Sequence, residues 1–306
     1  MTGSFTFRRA LPTDDAATFV VFRRSIWDYL RRSGMLRPDD PAEPPIEEAW
    51  TRWQAMYGHL GRTAAEHWVA EGADGRILGY ARSIERGGVL ELTEFFVDPD
   101  TQAHGIGRGL LERAFPLGRG LHRSIIATQD PRAVGLYLRF GVAMQSNGVD
   151  FTKAPEPVSV ETDLVLVAAT DDDATVASIL SVEEQVLGHR REPDVRFFLR
   201  DRPGVLYVRD DRVVGYGFDP GTGGSFGPIA MLDPADVPAA LAHLESAASA
   251  SGLERLDVLL PLANRTGVEW LLGRGFHVLP FWVLYLADAP FVRYDRCVTT
   301  APPAIL

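Results

Sequence analysis

The stretch Val97-Asp-Pro-Asp-Thr-Gln-Ala-His-Gly-Ile-Gly-Arg-Gly-Leu-Leu111 decides how the rest of this 306-residue chain is read. The apolar run Leu92–Val97 reads as a strand and stops at Asp98-Pro99, because proline has no N–H for a sheet ladder and constrains the residue before it. After a short polar turn, glycines at 105, 107 and 109 lead into Leu110, Leu111, Ala114 and Phe115. Their three-to-four spacing suits a helix with one buried face. The stretch is a strand-to-helix junction.

Such a junction leaves the first N–H groups of the helix unpaired and converging on one spot, with the positive end of the helix dipole behind them. Glycines let a phosphate approach the backbone closely, and Arg108 adds a charge-assisted contact. The Gly-Lys-Ser/Thr ending of a nucleoside triphosphate loop is missing, and the dinucleotide fingerprint is not in its usual place near the chain start. A pyrophosphate carrier of another type is indicated. Downstream, a second strand, Ser124-Ile-Ile-Ala-Thr128, is followed by Asp130-x-x-Ala133-x-x-Leu136-Tyr137-x-x-x-Gly141.

Together, Gln102-x-x-Gly105-x-Gly107 after Val-Asp-Pro and the later Asp130–Gly141 pattern resemble the two cofactor-side motifs of the GCN5-related N-acetyltransferase superfamily. The resemblance implies a mixed α/β fold of α+β type layers, each domain a mostly antiparallel sheet flanked by helices, with acetyl-coenzyme A as co-substrate. It implies that Phe96, Val97, Gln102, His104, Gly105, Ile106, Gly107 and Arg108 hold the pantetheine and pyrophosphate, with Asp130, Ala133 and Tyr137 on the second helix. A strand N–H near Val97 would polarise the thioester carbonyl. Tyr137 would be the general acid, since a phenol of pKa ~10 is protonated at neutral pH and comparable with the departing thiol. Asp130 stands where the family commonly has Asn; followed by Pro131, it is well suited to cap the next helix.

The amine must lose a proton before it attacks, and Glu94 on the strand facing the cleft is the best-placed base, with Glu91 in reserve. Strand alternation sets these two on opposite faces unless a bulge intervenes. Between Ser25 and Trp68 lie Trp27, Tyr29, Trp50, Trp53 and Tyr57, read as two helices around a Pro-rich break at Pro38–Pro45. By the resemblance this segment caps the acceptor site, so Trp27, Tyr29 and Trp53 join Glu94 as candidate acceptor contacts. Most rings of such a segment belong to the core.

With 46% hydrophobic residues the chain has enough for two cores. The formal charge of −10 is uneven: residues 1–155 carry 19 Lys+Arg and 19 Asp+Glu, while residues 156–306 carry 12 and 22. An acidic chain with no basic cluster is a poor binder of nucleic acid, and a neutral N-terminal half tolerates a polyanionic carrier. No membrane-spanning run or leader-like N-terminus is present, so the expectation is a cytoplasmic protein without membrane association. The single cysteine, Cys297, excludes an internal disulfide and a multi-cysteine metal site, and no metal is expected.

In chain order, residues 4–10 alternate as a strand and Thr13 before Asp14-Asp15 reads as a helix cap. Trp68–Ala70 and Ile77–Ser83 form a hairpin about Gly72–Gly75, and Gly87-Gly88 turns into the strand that delivers the glycine loop. Val149–Lys153 reads as a last strand before the linker Ala154-Pro-Glu-Pro-Val158. The first half then repeats. Ala10-Leu-Pro-Thr-Asp-Asp matches Ala169-Thr-Asp-Asp-Asp, Gly79-Tyr80-Ala81 matches Gly215-Tyr216-Gly217, and Phe96-Val-Asp-Pro matches Met231-Leu-Asp-Pro. Asn264 precedes Gly275 as Asp130 precedes Gly141. The second copy has no glycine after Pro234, and Leu271 takes the place of Tyr137, so it is read as degenerate. The expected organisation is residues 1–155, the N-terminal copy with the carrier loop; 160–290, the degenerate copy; and 291–306, a tail. The expected activity is transfer of acetyl to an amine of a small-molecule acceptor by a monomer or homodimer. The alternatives are a non-catalytic acyl-coenzyme A binder or sensor and a protein N-terminal or lysine acetyltransferase.

Overall fold

The computed structural model describes residues 4–36, 43–101, 105–220, 226–302 and 305. They form a mixed α/β fold of mostly antiparallel sheets flanked by helices. Two compact units divide the chain: residues up to Ile125 with Gln129–Ala143, and Ile126–Thr128 with Met144 onward.

In the first unit, strands β1 (Phe5–Arg9), β2 (Ala64–Gly72), β3 (Ile77–Arg86), β4 (Val89–Val97) and the His122–Ile125 part of β5 (His122–Thr128) lie side by side in chain order. The first three junctions are antiparallel, the β1–β2 connection carrying α1 (Asp15–Arg32) and α2 (Ile46–Thr63) and the next two being short turns; β4 and β5 are parallel, joined through helix α3 (Ile106–Ala114). The sheet has a helical layer on each face. On one face, Phe19 and Phe22 of α1 (Asp15–Arg32) and Tyr57 of α2 (Ile46–Thr63) pack toward Tyr80 and Phe96. On the other, Ile106, Leu110, Leu111 and Ala114 of α3 are buried, as their spacing predicts. Burying each of the three large side chains contributes about 1.5–3 kcal/mol. Helix α4 (Pro131–Arg139) completes the unit.

Two local expectations shift. Thr13 is not a helix cap: Pro12–Asp14 form a 3₁₀ turn and α1 begins at Asp15. The reason is Asp14, whose carboxylate accepts the Leu11 N–H (2.7 Å) and pairs with Arg8 (2.7 Å), closing the turn first. The first helix of the aromatic segment is the continuation of α1 to Arg32, and the segment's end from Ala64 is already β2.

The second unit repeats the element order. β7 (Val165–Ala169), α5 (Asp173–Val186), α6 (Glu192–Asp201), β8 (Gly204–Arg209), β9 (Arg212–Phe218) and β10 (Ile229–Met231) match β1 through β4. α7 (Val237–Ala250), β11 (Leu256–Pro261), α8 (Arg265–Gly273) and β12 (His277–Ala287) match α3, β5, α4 and the strand that follows α4, β6 (Ala143–Lys153). β6 itself pairs antiparallel with β11, from Gly148↔Pro261 to Lys153↔Leu256, and its Val149 and Phe151 enter the core made by Leu241, Leu244, Val258 and Leu271. The compact units therefore part at Ala143–Met144, upstream of the 154–158 linker. Alternation identifies a strand but not the sheet it joins. The tail supplies one further strand, β13 (Cys297–Thr299), on the edge of β10. Among the described residues, no helix is long and apolar enough to cross a membrane, and no group of three His, Cys, Asp or Glu side chains is placed to hold a metal ion.

Candidate active site

The ladder between β4 and β5 covers only Val89–Leu92 and His122–Ile125, while β4 runs on to Val97. Thr93–Val97 thus extends beyond it and carries the chain to the glycine junction. The Asp98-Pro99 stop holds the turn: buried Asp98 accepts the Asp100 N–H (3.0 Å), pairs with Arg24 (3.3 Å), and its carbonyl accepts the Thr101 N–H (2.9 Å). Gln102 and His104 lie outside the described residues.

Gly105 occupies the position just before α3 with φ +84°, the left-handed region in which a β-carbon is strained, and its carbonyl accepts the Gly109 N–H. The other two glycines serve packing. A β-carbon at Gly109 would stand 2.3 Å from the Phe7 ring, and one at Gly107 would stand 3.1 Å from the Phe95 ring, so these glycines let α3 lie close on the sheet. Ile106 is buried toward Gly79, which leaves only its backbone for a ligand. Arg108 is exposed and pairs with Glu112 one turn on (3.0 Å). What the junction offers an anion is the set of first-turn N–H groups.

A bulge alters the two carboxylates. Arg82 faces Glu94 across the β3–β4 ladder and Ser83 faces Leu92, so Thr93 is an extra residue; Ile84 faces Glu91. Counting across the bulge places Glu91 and Glu94 on the same face, and both are buried. Glu94 accepts a hydrogen bond from the Tyr80 hydroxyl (3.0 Å), which lies 2.7 Å from the Tyr57 hydroxyl. Its other oxygen stands 3.0 Å from Arg82 Nη1, an ion pair without hydrogen-bond geometry. Arg82 is fully buried, donates to the Tyr57 carbonyl (3.2 Å), lies over the Tyr57 ring and stands 3.5 Å from Asp15.

This polar group is incompletely paired. Arg82 Nε and Nη2, Glu94 Oε2 and the Nε2 of neighbouring His67 are buried without a hydrogen-bond partner. Buried polar atoms in that state cost free energy and mark places where water or a ligand is received. Burial, then the Glu94 charge, push the Tyr80 hydroxyl well above its ordinary pKa, and the same two causes act on Tyr57. Burial and the Arg82 charge lower the His67 imidazole to about 3, so it is neutral near pH 7.

Tyr137 approaches β4 from the opposite face. It is buried on α4, edge-on to the Phe95 ring at 5.8 Å, while the adjacent Glu94 belongs to the face with Tyr80 and Arg82. No described residue hydrogen-bonds its hydroxyl. Burial, and then the charge of Asp130, raise its pKa, so the phenol is protonated. Asp130 caps α4 by accepting the Arg132 N–H (3.0 Å), and Arg32 of α1 reaches it at 3.1 Å. Burial alone would raise the Asp130 carboxyl; the Arg132 side chain and amide, with Arg32, hold it below its usual value. Ala133 is half-buried on the same helix.

The aromatic segment is mostly core. Trp53 meets Phe22 edge-on, Tyr29 is buried, and the Arg23 guanidinium covers half-buried Trp27. Phe96 packs on Phe22 at 4.9 Å, and the Val97 carbonyl accepts the Ser25 hydroxyl (3.1 Å). Tyr57, His67, Tyr80 and Arg82 were not legible as site residues. The one available signal was Tyr80 within the repeated Gly-Tyr pair, whose counterpart Tyr216 donates to buried Glu183 (3.0 Å), itself paired with Arg191 (2.8 Å).

Residues 25–142 match the model of the acetyltransferase (GNAT) family. No curated protein matches the chain significantly. Among solved structures, a protein from Pyrococcus horikoshii named for an acetyltransferase activity is 14% identical with a TM-score of 0.69, covering 99% of this chain and 96% of its own. A GCN5-related N-acetyltransferase from Sphaerobacter thermophilus is 17% identical (TM-score 0.58; 97% and 98% covered). A tandem GNAT protein from the clavulanic acid biosynthesis pathway is 15% identical (TM-score 0.59; 94% and 99% covered). At these identities the likeness is one of fold, and it spans both units.

Proposed function

We propose that this chain, whose residues 25–142 match the model of the acetyltransferase (GNAT) family, uses its first unit to transfer acetyl from acetyl-coenzyme A directly to an amine of a small-molecule acceptor. The observation that carries this reading is the end of the β4–β5 ladder at Leu92, which leaves Thr93–Val97 running past it, its Phe95 ring against both the first turn of α3 and buried Tyr137. The first-turn amides of α3 take the pyrophosphate, with Gln102, His104 and Arg108 as the further contacts assigned to it. The outer part of β4, Phe96 and Val97 included, takes the pantetheine, and a strand N–H polarises the thioester carbonyl. Asp130 and Ala133 border the carrier on α4.

The amine nitrogen attacks the carbonyl carbon, the C–S bond breaks, and the thiolate takes the proton of Tyr137. The proton lost by the amine passes to Glu94, directly or through water. That the two candidate groups stand on opposite faces of β4 supports this division: protons enter and leave on different sides. The partly paired Arg82–Glu94–Tyr80 group supports an acceptor arriving on the α1–α2 face, where Trp27, Tyr29 and Trp53 would border it.

The test is thiol release from acetyl-coenzyme A over a panel of small amines and an N-terminal peptide, with wild type and Tyr137→Phe. The reading expects turnover with a small amine and a loss of 10²-fold or more in kcat for the variant. Binding of acetyl-coenzyme A without release on any amine would favour a non-catalytic acyl-coenzyme A binder, and turnover confined to the peptide would favour a protein acetyltransferase.

A further inference from the structure

In the first unit β4 pairs directly with β5; in the second, the corresponding strands β10 and β11 belong to different sheets, and the tail strand β13 lies between them. Ile229↔Thr299 and Ala230↔Cys297 form an antiparallel ladder on the β10 side, and the Thr300 N–H reaches the Leu259 carbonyl of β11 at 3.4 Å. We infer that the second copy's carrier slot is a binding site for an extended peptide strand, filled in cis by residues 297–301, and that this occupant excludes a second acyl-coenzyme A. The inference rests on the carrier reading of the first copy.

The slot is fitted to this occupant along its length. Cys297, Val298, Thr299, Thr300 and Ala301 are all buried. Asn264, the counterpart of Asp130, is fully buried; it caps α8 with its side-chain oxygen and gives its side-chain N–H to the Cys297 carbonyl at 2.9 Å. Tyr285 bonds the Thr300 hydroxyl at 2.6 Å. Two glycines yield space to the tail. A β-carbon at Gly227, where φ is +113°, would stand 2.8 Å from the Ala301 carbonyl oxygen; one at Gly188, φ +75°, would stand 2.6 Å from that of Phe291. The Val186 carbonyl accepts the Arg293 N–H at 2.7 Å, fixing where the tail enters. The second copy's missing glycines and tyrosine then have a physical counterpart: its slot recognises backbone and small side chains, and it makes no demand for an anion cradle.

The test uses the full chain. Hydrogen exchange read at residues 297–301, with and without saturating coenzyme A, is expected to show strong protection that coenzyme A leaves unchanged. A rise in exchange there on adding coenzyme A would show that the carrier displaces the tail and would overturn the inference, as would fast exchange in its absence. An Ala230→Cys variant provides an independent readout, because Cys297 is the only native cysteine. Oxidation is expected to join the two, with coenzyme A binding unchanged between the oxidised and reduced forms; loss of a binding equivalent on oxidation would overturn the proposal. If coenzyme A binds nowhere, the carrier reading fails, whereas slow exchange of the tail still reports whether the slot is filled.

Discussion

Acidification should weaken the first unit through a single imidazole. His67 on β2 lies opposite Arg82, with its ring 6.1 Å from that of Tyr80 and its Nε2 buried without a partner. Burial and the Arg82 charge lower its pKa from 6.5 to about 3, against a smaller opposing pull from Asp14. The folded state therefore holds this proton less readily than the unfolded chain. Stability is intact above pH 6.5 and falls as pH drops from 6.5 toward 3, by about 1.4 kcal/mol per unit. Between pH 8 and pH 5 the loss from this group is about 2 kcal/mol. Four of the six tryptophans, Trp27, Trp50, Trp53 and Trp68, lie in the first unit, so urea unfolding followed by tryptophan fluorescence reports mainly on it. In His67→Gln, the difference in unfolding free energy between pH 8 and pH 5 should be smaller than in wild type by about 2 kcal/mol. Equal pH dependence in the two proteins would refute the reasoning.

Other perturbations probe the same region. Arg82→Met leaves Glu94 buried and uncompensated and should cost about 3–5 kcal/mol in urea unfolding, much of it recovered in the Arg82→Met/Glu94→Leu double variant. Gly109→Ala drives a β-carbon against the Phe7 ring and should lower stability by about 1–3 kcal/mol despite alanine's better helix propensity. Tyr137→Phe should leave the acetyl-coenzyme A dissociation constant within about twofold, since the hydroxyl acts only on the leaving sulfur, while kcat falls.

The strands, the helix after the glycine loop and the internal repeat were legible because each rests on local chemistry: proline at a strand end, glycine at a turn, apolar spacing on a face. The repeat reappears in the element order of the two units. Three features were not legible, and each depends on long-range packing. β6 joins β11 because register and partner are decided by the assembled sheet. Gly107 and Gly109 look like a phosphate cradle in sequence, yet they are required by the Phe95 and Phe7 rings, which come from distant strands. The Thr93 bulge cannot be seen in the alternation of Glu91 and Glu94, and it brings both onto one face.

If the proposed function is right, one loop in this two-copy chain holds the acyl carrier. Calorimetric titration of acetyl-coenzyme A into the full chain is the direct test, with Gly105→Glu as the comparison, because a β-carbon there, though strained by the +84° φ, would meet no described atom within 4 Å and the variant places a carboxylate at the anion site. Tryptophan fluorescence establishes that the variant is folded. One equivalent per chain is expected in wild type and none in folded Gly105→Glu. Two equivalents per chain, or one that survives the substitution, would contradict it.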